Sequence, residues 1–157
     1  MQKLILDNFQ KEFGLIGICS SLEGYKLAFL VNKKLNINFR KTRTDVLLNA
    51  KQAELNFELY KYEDPKTKST LYLVQNKSKY NHHKTEDSTS LFQVEQTIYE
   101  YLIQSHKQAE YLLKIEDDFN SYTIKALISS LNEIPQLISA FEIPFEEIKS
   151  AENLIFE

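Results

Sequence analysis

Arg40 and Arg43, the two arginines of the chain, fall within four residues of each other with Lys41 between them. A guanidinium offers a planar fork of donors that grips phosphate or carboxylate, so Arg40, Lys41 and Arg43 form a candidate anion- or RNA-binding cluster. A solvated connection whose cations pair with surface carboxylates is the plainer alternative. Tyrosine supplies the second constellation. Tyr60 and Tyr62 alternate in one segment and Tyr99 and Tyr101 in another, so a strand period of two would put each pair on one face. If the two faces coincide, the sheet carries a tyrosine surface opposite its helix-packed side. That surface could stack nucleobases, at about 1–3 kcal/mol each. It could also form an interface with a protein partner or a second copy, or be cross-strand pairs on a wet face. The interface reading leads, because the net charge of −3 gives no overall attraction to nucleic acid.

Other reactive side chains have structural explanations. His82 and His83 are adjacent, and neighbouring side chains point apart. His106 stands alone between two predicted strands. With no cysteine nearby, these residues suggest solvent exposure, and neither a metal nor a cofactor is expected. Gly14 and Gly17 flank a strand that leads to Ser20-Ser21, where helix amides could receive a phosphate or carboxylate; a tight, serine-capped strand-to-helix turn is the favoured reading. Asp117-Asp118 and Glu146-Glu147 sit where helices should start, and exposed amides favour negative charge there. No nucleophile elbow, phosphate-binding loop or glycine-rich dinucleotide turn is present. No catalytic residue is therefore nominated, and an enzyme built around Ser20-Ser21 or His106 ranks behind a binding role.

The elements that would position these residues follow from periodicity. Leu55, Phe57 and Leu59 alternate with polar residues across Glu54–Tyr62, which predicts a half-buried strand. The turn Asp64–Ser69 and the apolar Thr70–Val74 complete a β-hairpin. Asn76–Ser90 is polar and nearly free of apolar residues, which predicts a mobile loop over about 76–93. Strands are expected again at Thr97–Ile103, Glu110–Ile115 and Gln136–Ile143. The spacing Ser20-x-x-Glu23 reads as a capping box opening a helix that runs to about Leu35, with Leu27, Leu30, Val31 and Leu35 facing inward. A second helix, capped by Asn120 or Ser121, carries Ile124, Leu127, Ile128 and Leu131 on one stripe and ends before Pro135. Pro144 suits the first position of a short final helix, Phe145–Lys149.

Together these predict one α+β domain over residues 1–157: a two-layer sandwich, its mostly antiparallel sheet carrying two main helices on one face, with a short C-terminal helix. At 157 residues, 43% apolar and 26% charged, the chain can bury one sizeable core. Cys19, the single cysteine, lies in an apolar run and reads as a small buried hydrophobe. The N-terminal residues lack the apolar core of a secretory signal, and no stretch nears the roughly 20 apolar residues that would span a bilayer. The expected setting is cytoplasmic, without membrane contact.

Five stretches, in order, resemble a family of Bacteroidota proteins named for the pattern Ile-Pro-Glu-x-x-x-Val-Asp-Tyr. They are Phe13–Ile18, Phe57–Asp64, Leu73–Ser78, Ile134–Phe141 and Lys149–Phe156. The naming pattern falls on Ile103-Gln-Ser-His-Lys-Gln-Ala-Glu-Tyr111. There Gln104-Ser105 replace Pro-Glu, and Ala109-Glu110 replace Val-Asp. The resemblance implies a shared fold and no mechanism. If the family's Pro-Glu and Asp carry a function, this chain has altered it; if they only shape a turn between two strands, the favoured reading, little is lost. The function expected from the sequence is a non-catalytic binding or protein-interaction module. The alternative is an RNA-associated protein using the basic cluster and the tyrosines.

Overall fold

A computed structural model of the chain describes residues 12–50, 53–83, 95–117 and 122–156. A six-stranded sheet organises them. In chain order its strands are β1 (Gly14–Cys19), β2 (Arg40–Lys41), β5 (Leu59–Glu63), β6 (Thr70–Gln75), β9 (Tyr111–Glu116) and β10 (Ser139–Glu142). In space the order is β10-β1-β9-β6-β5-β2, with every neighbouring pair antiparallel. Two further ribbons pair β3 (Val46–Ala50) with β4 (Ala53–Phe57), and β7 (Lys77–His83) with β8 (Glu95–Tyr101). The helices are α1 (Gly24–Leu35) and α2 (Ile124–Asn132). This is the predicted α+β architecture, with both helices on one face of an antiparallel sheet.

Side-chain alternation explains why the central strands are buried on both sides. Ile16, Ile18, Leu71, Leu73, Leu113 and Ile115 point towards the helices, meeting Leu27, Ala28 and Val31 of α1 and Leu127 and Leu131 of α2. Leu15, Tyr72, Val74 and Leu112 point the other way, into a second apolar cluster. That cluster is closed by Leu55 and Phe57 of β4, by Leu102, Ile103 and Ala109, and by Ile143, Ile148 and Leu154 near the C-terminus. Single 3₁₀ turns at Phe145–Glu147 and Ala151–Leu154 carry the chain across this face, in place of one longer final helix.

Local differences from the sequence reading have identifiable causes. The predicted strand Glu54–Tyr62 is broken at Glu58, where the chain leaves the β3–β4 ribbon for the main sheet. The Glu58 amide donates to the side chain of Gln75 (2.9 Å), and its carbonyl accepts from the Gln75 amide (3.0 Å). α1 starts at Gly24, four residues after the expected cap. Ser20 Oγ instead accepts from the Leu22 amide (3.1 Å), so the capping box does not form. Asn120 and Ser121 lie outside the described residues, and Thr123 precedes α2 without a side-chain cap. The polar stretch expected as a loop begins with β7. Strand residues there need little apolar character, because ladder bonds to the aromatic β8 hold the backbone. The rest of that expected loop, 84–93, lies outside the described residues.

β6 and β7 are consecutive strands of one arm, and β8 and β9 of the facing arm. Gln75 pairs with Tyr111 and Lys77 with Tyr101, so Asn76 alone faces the whole excursion 102–110. Asn76 is fully buried. Its amide donates to the Glu110 carbonyl (2.8 Å) and its carbonyl accepts from Leu102 (2.8 Å). Its side-chain oxygen accepts from the Ile103 amide (2.6 Å), while Nδ2 donates to the carbonyls of Ala109 (2.9 Å) and His106 (3.0 Å). Replacing Asn76 with Ala would strand the Ile103 N–H and the Ala109 carbonyl in the interior, while the His106 carbonyl keeps the Ala109 amide as a donor (3.2 Å). With each unsatisfied group costing about 1–3 kcal/mol, Asn76→Ala should lower unfolding stability by about 3 kcal/mol or more in urea denaturation.

Candidate functional site

Arg40 and Lys41 form β2, an exposed two-residue strand that pairs only with β5. Arg40 lines a shallow cleft of about 320 Å³ with Asn38, Lys61, Tyr62 and Glu63. Lys41 Nζ lies 3.7 Å from the Glu58 carboxylate, and Arg43 is exposed beyond the strand. The cluster is a wet edge with carboxylates already at hand.

The tyrosine pairs lie on different sheets. Tyr60 is only 6% exposed and belongs to the core beneath the helices. Tyr62 packs against the same core, edge-on to Phe39 at 6.4 Å. Tyr99 and Tyr101 belong to the β7–β8 ribbon, where Tyr99 is half exposed. The faces therefore do not coincide, because β5 turns its tyrosines towards the helices. Tyr99 lines a separate cleft of about 490 Å³, and no residue lines both this cleft and the one at Arg40.

The turn between β1 and α1 borders that larger cleft. Ser20 is buried, and its amide donates to Glu110 Oε2 (3.0 Å). Tyr111 Oη donates to the Leu22 carbonyl (2.6 Å), and Cys19 Sγ to the Gln108 carbonyl (2.9 Å). Glu110 and Tyr111, the last residues of the 103–111 motif, thus fasten this turn to the excursion 102–110. At the start of α1, a Cβ on Gly24 would come within 2.6 Å of Glu58 Oε2, so glycine admits this carboxylate beside the helix. His106 lies apart, with Nδ1 2.9 Å from Ser105 Oγ and Nε2 3.6 Å from Glu147. His82 and His83 belong to β7. Among the described residues, no three His, Cys, Asp or Glu side chains converge in a group that could hold a metal.

The outer face of α1 is the surface that sequence reasoning missed. Tyr25 is 60% exposed and Phe29 65% exposed, one helical turn apart. With Leu22, Lys26, Leu30 and Gln136 they line a groove of about 530 Å³ that is almost wholly apolar. Ile138, just before β10, is also exposed. The available signal was the pair of aromatic residues at positions 25 and 29, outside the Leu27–Val31 stripe.

Comparisons with family models, curated proteins and solved structures found nothing that matches the chain.

Burial first, and then the nearby Glu58 carboxylate, push the Tyr60 phenol up to about 12. A raised folded-state value means the native protein keeps its proton where the unfolded chain has released it. This contribution is complete below pH about 10 and is lost as pH rises towards 12. Stability should therefore fall with increasing pH in that window. Tyr60→Phe, which cannot ionise, should flatten the fall in urea titrations across the same range.

Proposed function

We propose that this protein is a non-catalytic interaction module that docks an acidic, amphipathic segment of another protein on the outer face of α1. The observation that carries this reading is the exposed pair Tyr25 and Phe29. Large aromatic side chains on the solvent face of a helix contribute little to the fold. They are the residue type around which interface hot spots form.

Charge supports the choice of partner. The protein carries net charge −3, yet the exposed α1 residues beside the aromatic pair are Lys26 and Lys33. A partner with apolar residues at helical spacing and flanking carboxylates would complement both features. A second copy would bring the same cationic rim against itself, which disfavours a homodimer on this face. The proposal includes a cytoplasmic setting, which the free thiol of Cys19 suits. No helix among the described residues is long and apolar enough to cross a membrane. It also includes membership in the family that the sequence resembles, which rests on the five ordered stretches and on Ile103 and Tyr111 of the naming pattern.

A photo-crosslinking amino acid in place of Phe29 tests the reading in native cells. The expected product is a segment of a different protein with interleaved acidic and apolar residues. A peptide of that segment should bind the double variant Tyr25→Ala/Phe29→Ala about 30-fold more weakly, equivalent to about 2 kcal/mol, with an unchanged melting temperature. Crosslinks confined to lipid or to a second copy of this chain would overturn it, as would an unaffected affinity.

A further inference from the structure

Direct opposition in an antiparallel ladder places two side chains on the same face. Lys77 faces Tyr101 and Lys79 faces Tyr99, and the strand period of two then puts all four on one face of the β7–β8 ribbon. Lys77 Nζ lies 4.3 Å from the centre of the Tyr99 ring. Lys107, from the excursion 102–110, brings its Nζ to 5.7 Å from the Tyr101 ring. Three cations and two aromatic rings thus alternate on one surface. Among the described residues none of these lysines pairs with a carboxylate. Ser78 points the other way and ties the ribbon to β4, its Oγ donating to the Asn56 carbonyl (2.9 Å).

We infer that the Lys77–Lys79–Tyr99–Tyr101 face of this ribbon binds single-stranded nucleic acid, with lysines on phosphates and tyrosines on bases. Alternate residues of a strand lie about 6.7 Å apart, comparable to successive phosphates of an extended single strand. Aromatic rings offer bases a stacking surface without sequence preference. The cleft beside the ribbon, about 490 Å³, has room for a base and its sugar but not for a duplex. Two carboxylates, Glu110 and Glu23, also line this cleft and confine phosphates to its lysine edge. Glu110 Oε2 is occupied by the Ser20 amide. Glu23 is the residue before α1, and like-charge repulsion from it keeps phosphates to the lysine side. The Arg40–Arg43 cluster takes no part.

Fluorescence anisotropy with labelled single-stranded octamers of uridine and of deoxythymidine tests this inference. Between about 50 and about 200 mM salt, three phosphate contacts at about −0.7 each predict a log–log slope near −2. Lys77→Ala/Lys79→Ala should reduce that slope to about −0.7. Tyr99→Leu should weaken binding about 10-fold while Tyr99→Phe retains it, because stacking needs the ring and not its hydroxyl. Arg40→Ala/Arg43→Ala and Tyr25→Ala/Phe29→Ala should leave binding unchanged, which separates this surface from the α1 face. Each variant is compared at an unchanged melting temperature. Five outcomes would each overturn the inference: no binding by the folded protein, equal affinity for the matching duplex or for an oligoglutamate, equal affinity for uridine monophosphate, a slope unaffected by the lysine changes, and equal binding by Tyr99→Leu.

Discussion

Asn76 carries an unusual share of this architecture for one side chain. A hairpin arm that runs from β6 into β7 must face an arm that detours through residues 102–110. Such a detour leaves peptide groups facing inward with no ladder partner. A short, planar amide with both a donor and an acceptor end can bridge them, and Asn76 does so at three backbone positions. Aspartate would lack the donor, and glutamine would overfill the gap by a methylene. With the detour fixed, β9 enters the main sheet in register and the β7–β8 ribbon leaves it in a defined direction.

From the end of the detour the constraint passes to the helix layer. Glu110 holds the Ser20 amide and Tyr111 holds the Leu22 carbonyl, so the last turn before α1 is anchored to the start of β9. α1 then lies with Leu27, Ala28 and Val31 against the sheet, which leaves positions 25 and 29 facing outward. The exposed aromatic pair is therefore set by the same bonds that close the excursion. Glu110 and Tyr111 also show what the end of the 103–111 stretch does in this chain. Glu110 reaches the Ser20 amide and the Tyr111 hydroxyl donates to the Leu22 carbonyl. Neither contact involves Gln104 or Ser105 at the other end of that stretch.

Periodicity made the layered plan legible. The Leu27–Val31 and Leu127–Leu131 stripes, and the alternation around Leu71–Leu73, identify the helices and central strands because each reflects one buried face. The ribbon strand β7 carried no such signal, since its stability comes from pairing with residues 95–101, distant in sequence. Spatial grouping of charge was likewise hidden. Arg40 and Arg43 are neighbours in the chain yet lie along a wet edge with Glu58 and Glu63 nearby. Lys77, Lys79 and Lys107 look dispersed in the sequence, and only the ladder register and the detour bring them to Tyr99 and Tyr101. Tyr60 and Tyr62 misled for a related reason: alternation defines a shared face but not which side of the sheet that face is on.

Lys114 shows how the second face of the sheet is closed. Its position in β9 alternates with Leu113 and Ile115, so its side chain enters the cluster opposite the helices and is almost entirely buried. Nζ donates to the Leu154 carbonyl (2.6 Å) and meets Glu116 at 2.7 Å, within 4.6–5.6 Å of the ring centres of Phe13, Tyr72 and Phe156. An apolar residue of similar length would avoid the cost of removing a charge from water, so net stability is a weak reason for lysine here. Direction is the stronger one. An apolar side chain would accept the C-terminal segment in several sliding positions, whereas an ammonium aimed at one carbonyl accepts one. That bond, together with the donation from Asn153 Nδ2 to the Leu102 carbonyl (2.9 Å), ties down the segment that brings Phe156 beside Tyr72 and completes the lid on the second face of the sheet.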